Sequence, residues 1–252
     1  VVCYTSMSSV IQVRGLTKKF GQQFTAVNDL SFSVHKGDVY GFLGQNGAGK
    51  STTIRMLLSL IEPTAGDIEI FGLPLAANRS AIMQKVGAVI EKPAMYEYLT
   101  AYQNLKIFSA LSGVSKTKTQ LLQELEVVGL AARAQDNVGT FSQGMKQRLA
   151  IAMAMVNDPE LILLDEPTNG LDPQGIADIR NLILQLSREQ GKTVLVSSHL
   201  LSEIEQVATR LIIIDKGCKL VEGDSKDLFD KSKTVVAIQT LNNIEATKQL
   251  MQ

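Results

Sequence analysis

Cysteine, tryptophan and long apolar runs are scarce or missing in this sequence of 252 residues. Its two cysteines, Cys3 and Cys218, lie far apart and have no metal-binding spacing, and tryptophan is absent. The number and spacing of the cysteines argue against a disulfide framework or a cysteine-ligated metal site and favour a reducing compartment. No apolar run reaches the roughly 18 residues that a membrane-spanning helix requires, and the first residues lack the basic-then-apolar order of a signal peptide. We therefore expect a cytoplasmic protein, in which any work at a membrane depends on another chain that spans it.

The sequence also lacks a net charge. Lysine and arginine total 25 residues, and so do aspartate and glutamate. Dedicated nucleic-acid-binding proteins usually carry a basic excess, so no nucleic-acid partner is expected. Apolar residues make up 45% of the chain, and a chain of this length can bury a core as one large domain or two modest ones.

Short apolar runs and alternating segments predict strands along most of the chain. The alternation of apolar and polar residues near the N-terminus indicates half-buried neighbouring strands. The mostly apolar runs that follow indicate strands buried on both faces. Because helical segments separate these runs, the pattern predicts an α/β fold with a mainly parallel sheet and antiparallel strands at the N-terminus. The alternating segments are residues 10–20 and 30–34, and the apolar runs are residues 39–43, 87–90, 161–164, 193–197 and 211–214.

A different pattern occupies residues 98–156. Leucines recur there at helical spacing, as at Leu105, Leu121 and Leu125, and no strand pattern interrupts them. We therefore predict a helical subdomain that is inserted into the α/β core. The predicted divisions are an α/β core of residues 10–90 and 158–230, a helical subdomain of residues 91–157, and a short C-terminal extension of unknown role, residues 231–252.

The segment from Gly44 to Ser51 reads G-x-x-x-x-G-K-S and lies between a predicted strand and a predicted helix. In this context the pattern is typical of the phosphate-binding loop of P-loop NTPases, which have a RecA-like core. Glycine permits the tight turn and lets backbone N–H groups approach the phosphates. Lys50 would reach the β- and γ-phosphates, and Ser51 would bind Mg²⁺. An ordinary glycine-rich turn is the alternative. The predicted nucleotide-binding residues of the loop are Gly44, Asn46, Gly47, Ala48, Gly49, Lys50, Ser51 and Thr52.

Two carboxylates follow the apolar run 161–164. A buried strand of a parallel sheet delivers such residues to its C-terminal edge, where α/β sheets bind ligands. Asp165 would hold Mg²⁺ through water, and Glu166 would activate the attacking water as a general base. The alternative is a buried strand that ends in solvated acids. The P-loop upstream favours the catalytic interpretation.

Further motifs, in order, resemble those of the ATP-binding-cassette (ABC) ATPases. The segment 141–148, FSQGMKQR, is similar to their signature segment, and Leu171-Asp172 resembles their D-loop. Ser197-Ser198-His199 resembles their switch-histidine segment, and Phe20 lies where they place an aromatic that stacks on adenine. The resemblance runs from about residue 10 to residue 225. It implies roles for Ser142 and Gly144 at the γ-phosphate, for Asp172 beside the nucleotide, for His199 in catalysis and for Phe20 at the base.

Each of these residues also has a simpler interpretation. Ser142 is a good helix cap, and a capped helix whose N–H groups point outward is an anion site only when a ligand reaches it. His199 could be a core histidine that is bonded to backbone, although its polar neighbours favour a phosphate-facing role. Phe20 could be a core residue, since base stacking accepts any aromatic face.

The resemblance implies an assembly that this chain does not complete alone. In the ABC family, two ATPase domains meet head-to-tail, and ATP lies between the P-loop of one and the signature serine of the other. This sequence carries one P-loop and one signature, so it requires a second copy or a related subunit. ATP and Mg²⁺ are the implied cofactors. A membrane-spanning permease is the implied partner, which would place the chain on the inner face of the cell membrane.

One position departs from the family pattern. ABC ATPases usually carry glutamine after the strand that enters the helical subdomain, whereas this sequence has Glu91. A carboxylate can approach Mg²⁺ and the attacking water, but when ionised it cannot donate a hydrogen bond as an amide can. We therefore regard Glu91 as a candidate catalytic residue and metal ligand. A solvated loop acid is the alternative.

The stretch around Glu91 is similar to ATPase subunits of bacitracin- and lantibiotic-type exporters. The similar segments are residues 90–96, IEKPAMY, and residues 99–105, LTAYQNL. The resemblance implies an ATPase subunit that powers export of a peptide antibiotic, for self-immunity or resistance. The alternatives are an ABC ATPase that exports another substrate and a non-transport ABC regulatory ATPase.

Overall fold

The computed structural model describes residues 9–21, 23–90 and 95–230. The strands, in chain order, are β1 (Ser9–Phe20), β2 (Phe24–His35), β3 (Val39–Leu43), β4 (Ala65–Ile70), β5 (Leu73–Pro74), β6 (Val86–Val89), β7 (Leu161–Leu164), β8 (Thr193–Ser198), β9 (Arg210–Asp215) and β10 (Cys218–Asp224). The helices are α1 (Lys50–Leu57), α2 (Leu75–Met83), α3 (Ala101–Leu111), α4 (Lys118–Val127), α5 (Gln143–Met155), α6 (Pro173–Arg188), α7 (Leu201–Val207) and α8 (Ser225–Leu228). In this part of the chain, no helix is long and apolar enough to cross a membrane.

The N-terminal strands form an antiparallel sheet in the order β2-β1-β4-β5. Val13 at its centre pairs with Phe32 of β2 on one side and with Ile68 of β4 on the other. The side chains of Ile11 and Val13 are fully buried, whereas Arg14 is exposed, as the alternating pattern requires of a strand with one face on the core. The predicted antiparallel N-terminal strands are confirmed.

The second sheet has the order β10-β9-β3-β8-β7-β6. Its pairs are parallel from β9 through to β6, and only the pair of β10 with β9 is antiparallel. Every residue of β3, β7 and β8 is buried, because both faces of this parallel sheet are covered. Helices pack on one face, and the other face packs on α1 and on the antiparallel sheet, where Phe32 contacts Tyr40 and Phe42. The predicted, mainly parallel sheet is confirmed. The edge strand β10 was not predicted, since most of its residues are exposed and its sequence contains no continuous apolar run.

The region between β6 and β7 is helical in its described part, apart from an isolated bridge between Thr100 and Asn137. Leu105, Leu121 and Leu125 are buried in its interior. The side chains of Thr100 and Thr117 begin α3 and α4 with reciprocal capping bonds to a glutamine three residues later. Helix α5 contacts α3 and α4 on one side and β6 and α6 on the other, so a continuous apolar core joins the helical region to the parallel sheet.

The strand order places the candidate functional residues together. Strands β3, β8 and β7 are neighbours and run parallel, so their carboxyl ends meet at one edge of the sheet. The loop of residues 44–49 follows β3, Asp165 and Glu166 follow β7, and His199 follows β8. Segments that are far apart in the sequence therefore converge at this edge.

Candidate functional site

The loop between β3 and α1 has a backbone path that requires glycine. Gly47 and Gly49 have φ angles of 83° and 103°, in the left-handed region that residues with a Cβ rarely adopt. A Cβ on Gly49 would lie 2.6 Å from the carbonyl oxygen of Ala26, and one on Gly44 would lie 2.6 Å from that of Ile214. No side chain caps α1 at Gly49, so the first N–H groups of the helix can serve an anion.

The side chain of Lys50 lies inside this loop and is only 5% exposed. Its Nζ donates hydrogen bonds to the carbonyl oxygens of Gly44 at 2.7 Å and Gln45 at 3.3 Å. It also lies 3.1 Å from Oε1 of Glu166. A buried ammonium group is stable only when it is paired in this way. The loop therefore holds a positive charge where an incoming phosphate group would meet it.

Glu166 connects this lysine to His199. Its Oε2 lies 2.7 Å from Nδ1 of His199, while its Oε1 is the atom that faces the Lys50 ammonium. Its φ of 49° is in the left-handed region, which costs a non-glycine residue about 1–3 kcal/mol and is characteristic of functional sites. The backbone thus holds the carboxylate between the lysine on one side and the imidazole on the other.

Asp165 is fixed by a serine from the neighbouring strand. The hydroxyl of Ser197, which is fully buried on β8, donates to Oδ1 of Asp165 at 2.6 Å. The same hydroxyl accepts from the backbone N–H of Glu166 at 2.9 Å. One side chain therefore sets both the direction of the Asp165 carboxylate and the unusual backbone turn at Glu166.

Two clefts open onto these residues. One, of about 240 Å³, is lined by the loop, Phe24 and Glu166. The other, of about 670 Å³, has Ser51, Asp165 and Glu166 on one wall and residues of α5 on another. The first has the charge and backbone of a phosphate site, and the second places carboxylate and hydroxyl oxygens beside it.

The signature segment begins α5 at the predicted position. Ser142 is the N-cap of this helix, and its Oγ accepts from the N–H of Met145 at 3.3 Å. Ser142 is exposed and lines neither of the two clefts. Gly144 lies on the first turn, where a Cβ would come within 3.6 Å of Gly175 on α6. Asp172 caps α6, and its Oδ1 accepts from the N–H of Gly175 at 3.2 Å.

Two aromatic residues lie at the hairpin beside the smaller cleft, and the role of Phe20 at the base stays a prediction. Phe24 lines the smaller cleft, and Phe20 is not among the residues that line it. The two rings stack across the β1–β2 hairpin, with centroids 6.4 Å apart. Phe20 also lies under Lys18, whose Nζ is 5.2 Å from the ring centroid.

Sequence reasoning therefore missed Phe24 and the hydrogen-bonding role of Ser197. The second aromatic residue four positions after Phe20 and the paired serines of residues 197 and 198 were the available signals. Glu91, by contrast, lies outside the described residues, so its catalytic and metal-binding roles stay predictions.

Comparison with known proteins identifies the family. Residues 27–169, which are more than half of the chain, match the family model described as ABC transporter. The chain belongs to the ABC transporter family. The resemblance to this family, on which the P-loop and signature segments were interpreted, is thereby confirmed, and the chain is an ATPase that binds nucleotide.

Curated relatives extend over most of this ABC ATPase. It is 50% identical to the bacitracin transport ATP-binding protein BcrA of Bacillus licheniformis over 86% of its own length and 70% of the relative's. It is 39% identical to the lantibiotic transport ATP-binding protein SrtF of Streptococcus pyogenes over 84% of its length and 90% of the relative's. The similarity to these two groups, noted around Glu91, is thus confirmed across the chain.

Solved structures confirm the fold of this ABC ATPase. The cbiO1 protein of Clostridium perfringens, part of the ABC transporter complex cbiONQ, superposes with a TM-score of 0.79, at 24% identity, over 89% of this chain and 92% of that one. The ATP-binding cassette MJ0796, in a dimeric post-hydrolysis state with ADP and Pi, superposes with a TM-score of 0.75, at 26% identity, over 85% of this chain and 98% of that one.

Proposed function

We propose that this chain is the ATP-hydrolysing subunit of an exporter for peptide antibiotics, in which a separate permease spans the membrane. The ATPase part rests on one observation above the others. Lys50 Nζ, the Glu166 carboxylate and His199 Nδ1 form a continuous chain of contacts of 3.1 Å and 2.7 Å at the carboxyl edge of the sheet. The exporter part is supported by the bacitracin- and lantibiotic-transport relatives.

In the proposed reaction, the loop of residues 44–49 and Lys50 hold the phosphates of ATP. Lys50 exchanges its carbonyl partners for phosphate oxygens, which are stronger, charge-assisted acceptors. Glu166 accepts a proton from the attacking water, whose oxygen bonds to the γ-phosphorus as the bond to the β–γ bridging oxygen breaks. ADP and inorganic phosphate are the products. His199, held at Glu166 Oε2, is placed to contact the γ-phosphate.

The residues present also fit Mg²⁺. Ser51 and Asp165 line the same cleft, and their oxygens are the donors that this ion prefers. No group of three or more His, Cys, Asp or Glu side chains in the described part of the chain could hold a metal alone. Because Mg²⁺ is usually held by one or two protein oxygens together with substrate phosphates, it would be shared with the phosphates, whose charge it would neutralise.

We further propose that two such subunits pair head-to-tail, as a homodimer or a heterodimer. The exposed N-terminus of α5 supports this pairing, since Ser142 lines neither cleft of its own chain. The proposed ATPase domain spans residues 10–230, with a helical subdomain, residues 91–157, between the two parts of the core. The permease would hold the pair at the inner face of the membrane.

Substitution of Glu166 by glutamine tests the ATPase mechanism. We expect E166Q to bind ATP and to lose at least about 100-fold in kcat, because an amide cannot accept the proton as a carboxylate can. Binding is measured with a fluorescent ATP analogue and turnover by phosphate release. E160Q is the matched control, since Glu160 is exposed at the other end of β7. Turnover of E166Q at the rate of E160Q would exclude Glu166 as the general base.

A further inference from the structure

A second carboxylate lies behind the pair formed by Glu166 and His199. Glu203 is in the first turn of α7 and is partly buried. Its Oε2 accepts hydrogen bonds from the hydroxyls of Thr168 at 2.7 Å and Ser198 at 2.8 Å. Hydrogen bonds to an ionised acceptor are roughly twice as strong as those between neutral groups. One carboxylate oxygen thus ties two separate segments together.

These two segments are the ones that carry the catalytic pair. Thr168 follows Glu166 by two positions, and Ser198 immediately precedes His199. Ser198 Oγ also accepts from the N–H of Leu200 at 3.0 Å. The turn into α7 is therefore closed on both sides of His199, and a movement at Thr168 or Ser198 would change the distance between His199 and Glu166.

Packing around these three side chains is incomplete. A cavity of about 30 Å³ borders Thr168, Ser198 and Glu203, so the apolar contacts on this side leave space. Among the described residues, Glu203 forms no ion pair, and the two hydroxyls are its side-chain partners. The two hydrogen bonds to Glu203 Oε2 therefore link the segment of Thr168 directly to that of Ser198.

We propose that Glu203 is a positioning residue for ATP hydrolysis. Its carboxylate holds the segments of Thr168 and Ser198 so that Nδ1 of His199 stays within hydrogen-bonding distance of Glu166. This inference rests on the proposed roles of Glu166 and His199. It assigns Glu203 no contact with the nucleotide, so its loss should affect turnover and leave nucleotide binding intact.

The experiment compares Glu203 and Glu205, two glutamates of the same helix, of which Glu205 is exposed. We expect E203A to lower kcat by about tenfold or more, because misplacement of a catalytic group by about 1 Å has effects of this size, with KM for ATP changed less than about twofold. E203Q retains an oxygen that can accept both hydroxyls and should keep kcat within about threefold of wild type. E205A and E205Q should match wild type.

A second set of variants covers the case in which E203A does not fold. T168V and S198A each remove one hydroxyl and should each lower kcat. Adding E203A to the double variant T168V/S198A should lower kcat no further, because the three side chains act as one unit. Equal kcat for E203A and E205A, or a raised KM with unchanged kcat, would overturn the proposal. So would an E203Q variant as slow as E203A. Failure of the proposed mechanism is distinguished by E166Q, whose turnover at the wild-type rate would overturn the general base whatever Glu203 does.

Discussion

Phe20 is the last residue of β1, and Phe24 is the first residue of β2. Of these two residues, only Phe24 lines the cleft beside the phosphate loop. Phe24 is 60% exposed and Phe20 is 46% exposed. A large exposed aromatic ring beside a nucleotide cleft is suited to stack on a base, because every base has a π-face. The family resemblance assigned that role to Phe20. Because Phe24 lines the cleft, we propose that it makes the direct contact, with Phe20 stacked on its ring.

We therefore expect F24A to weaken ATP binding more than F20A does. Stacking on a base contributes about 1–3 kcal/mol, so the Kd of F24A should rise at least about fivefold, whereas F24Y should bind like wild type. The measurement is calorimetric titration of ATP. Inorganic tripolyphosphate, which has no base, serves as the control ligand and should bind F24A and wild type equally. Weaker binding in F20A than in F24A would return the base contact to Phe20.

At the residue scale, a sequence motif predicts which residues are functional better than it predicts which side chains they contact. The P-loop pattern led to Lys50, and the buried apolar run led to Glu166. The contacts of Ser197 and Glu203 could not be predicted in this way. They depend on which strands are neighbours and on side-chain direction, and a local pattern contains neither. Glu166 itself was predicted, but its left-handed backbone, which the Ser197 hydroxyl stabilises, was not.

At the scale of elements, the strand β10 shows what an apolar pattern cannot predict. Its backbone pairs with β9, and polar side chains add contacts to β3 and β9. The hydroxyl of Tyr40, which is fully buried on β3, donates to Oε1 of Glu222 on β10 at 2.8 Å. Arg210 of β9 lies 3.3 Å from Asp224 and 3.8 Å from Glu222. The strands β3 and β7, by contrast, were predicted at their observed bounds because their apolar runs are continuous.

Removal of the Tyr40 hydroxyl tests whether this network stabilises the fold. Burial, together with the carboxylate of Glu222, raises the pKa of Tyr40 far above its ordinary value, so the hydroxyl stays protonated and donates. We expect Y40F to lower the free energy of unfolding by about 1–2 kcal/mol, because Glu222 loses a donor. Urea denaturation followed by circular dichroism measures the change.

The pH dependence of this effect has a definite sign. Because the pKa of Tyr40 is raised in the folded state, its stabilising contribution is fully present below the unfolded pKa of about 10 and is lost as the pH rises above that value. Between pH 6 and about 9, the difference between wild type and Y40F should therefore be constant. Y98F is the control, since Tyr98 is 74% exposed, and it should unfold like wild type. Equal stability of Y40F and Y98F would show that the network contributes nothing measurable.

At the scale of the whole molecule, α5 contacts both the helical region between β6 and β7 and the elements of the parallel-sheet core. It packs on α3 and α4 and on the core elements β6 and α6, and its Lys146 pairs with Glu97 at 2.6 Å. A change at the N-terminus of α5 can therefore reach both the helical region and the sheet. Its exposed N-terminus is also the surface that the proposed head-to-tail pairing uses.

Glutamate at position 142 tests that pairing. We expect the E166Q variant to dimerise when ATP is added, and S142E/E166Q to stay monomeric, because a carboxylate beside the γ-phosphate of a partner's ATP costs about 1–4 kcal/mol. Sedimentation velocity measures dimerisation. Binding of fluorescent ATP by the monomer should change less than about threefold, since the P-loop is untouched.

S112E/E166Q is the matched control for added charge, because Ser112 is exposed just after α3, and it should dimerise like E166Q. Comparison of S142E/E166Q with S112E/E166Q distinguishes two roles of Ser142, as the cap of its own helix alone or as a contact to the ATP of a partner subunit. If Ser142 serves only its own helix, an acidic residue there leaves the dimer intact, because negative charge is favourable at a helix N-terminus. The head-to-tail site would therefore be ruled out if S142E/E166Q dimerised at the same ATP concentration as E166Q. Loss of the dimer in S142E/E166Q but not in S112E/E166Q would place the γ-phosphate of one subunit against the signature helix of the other.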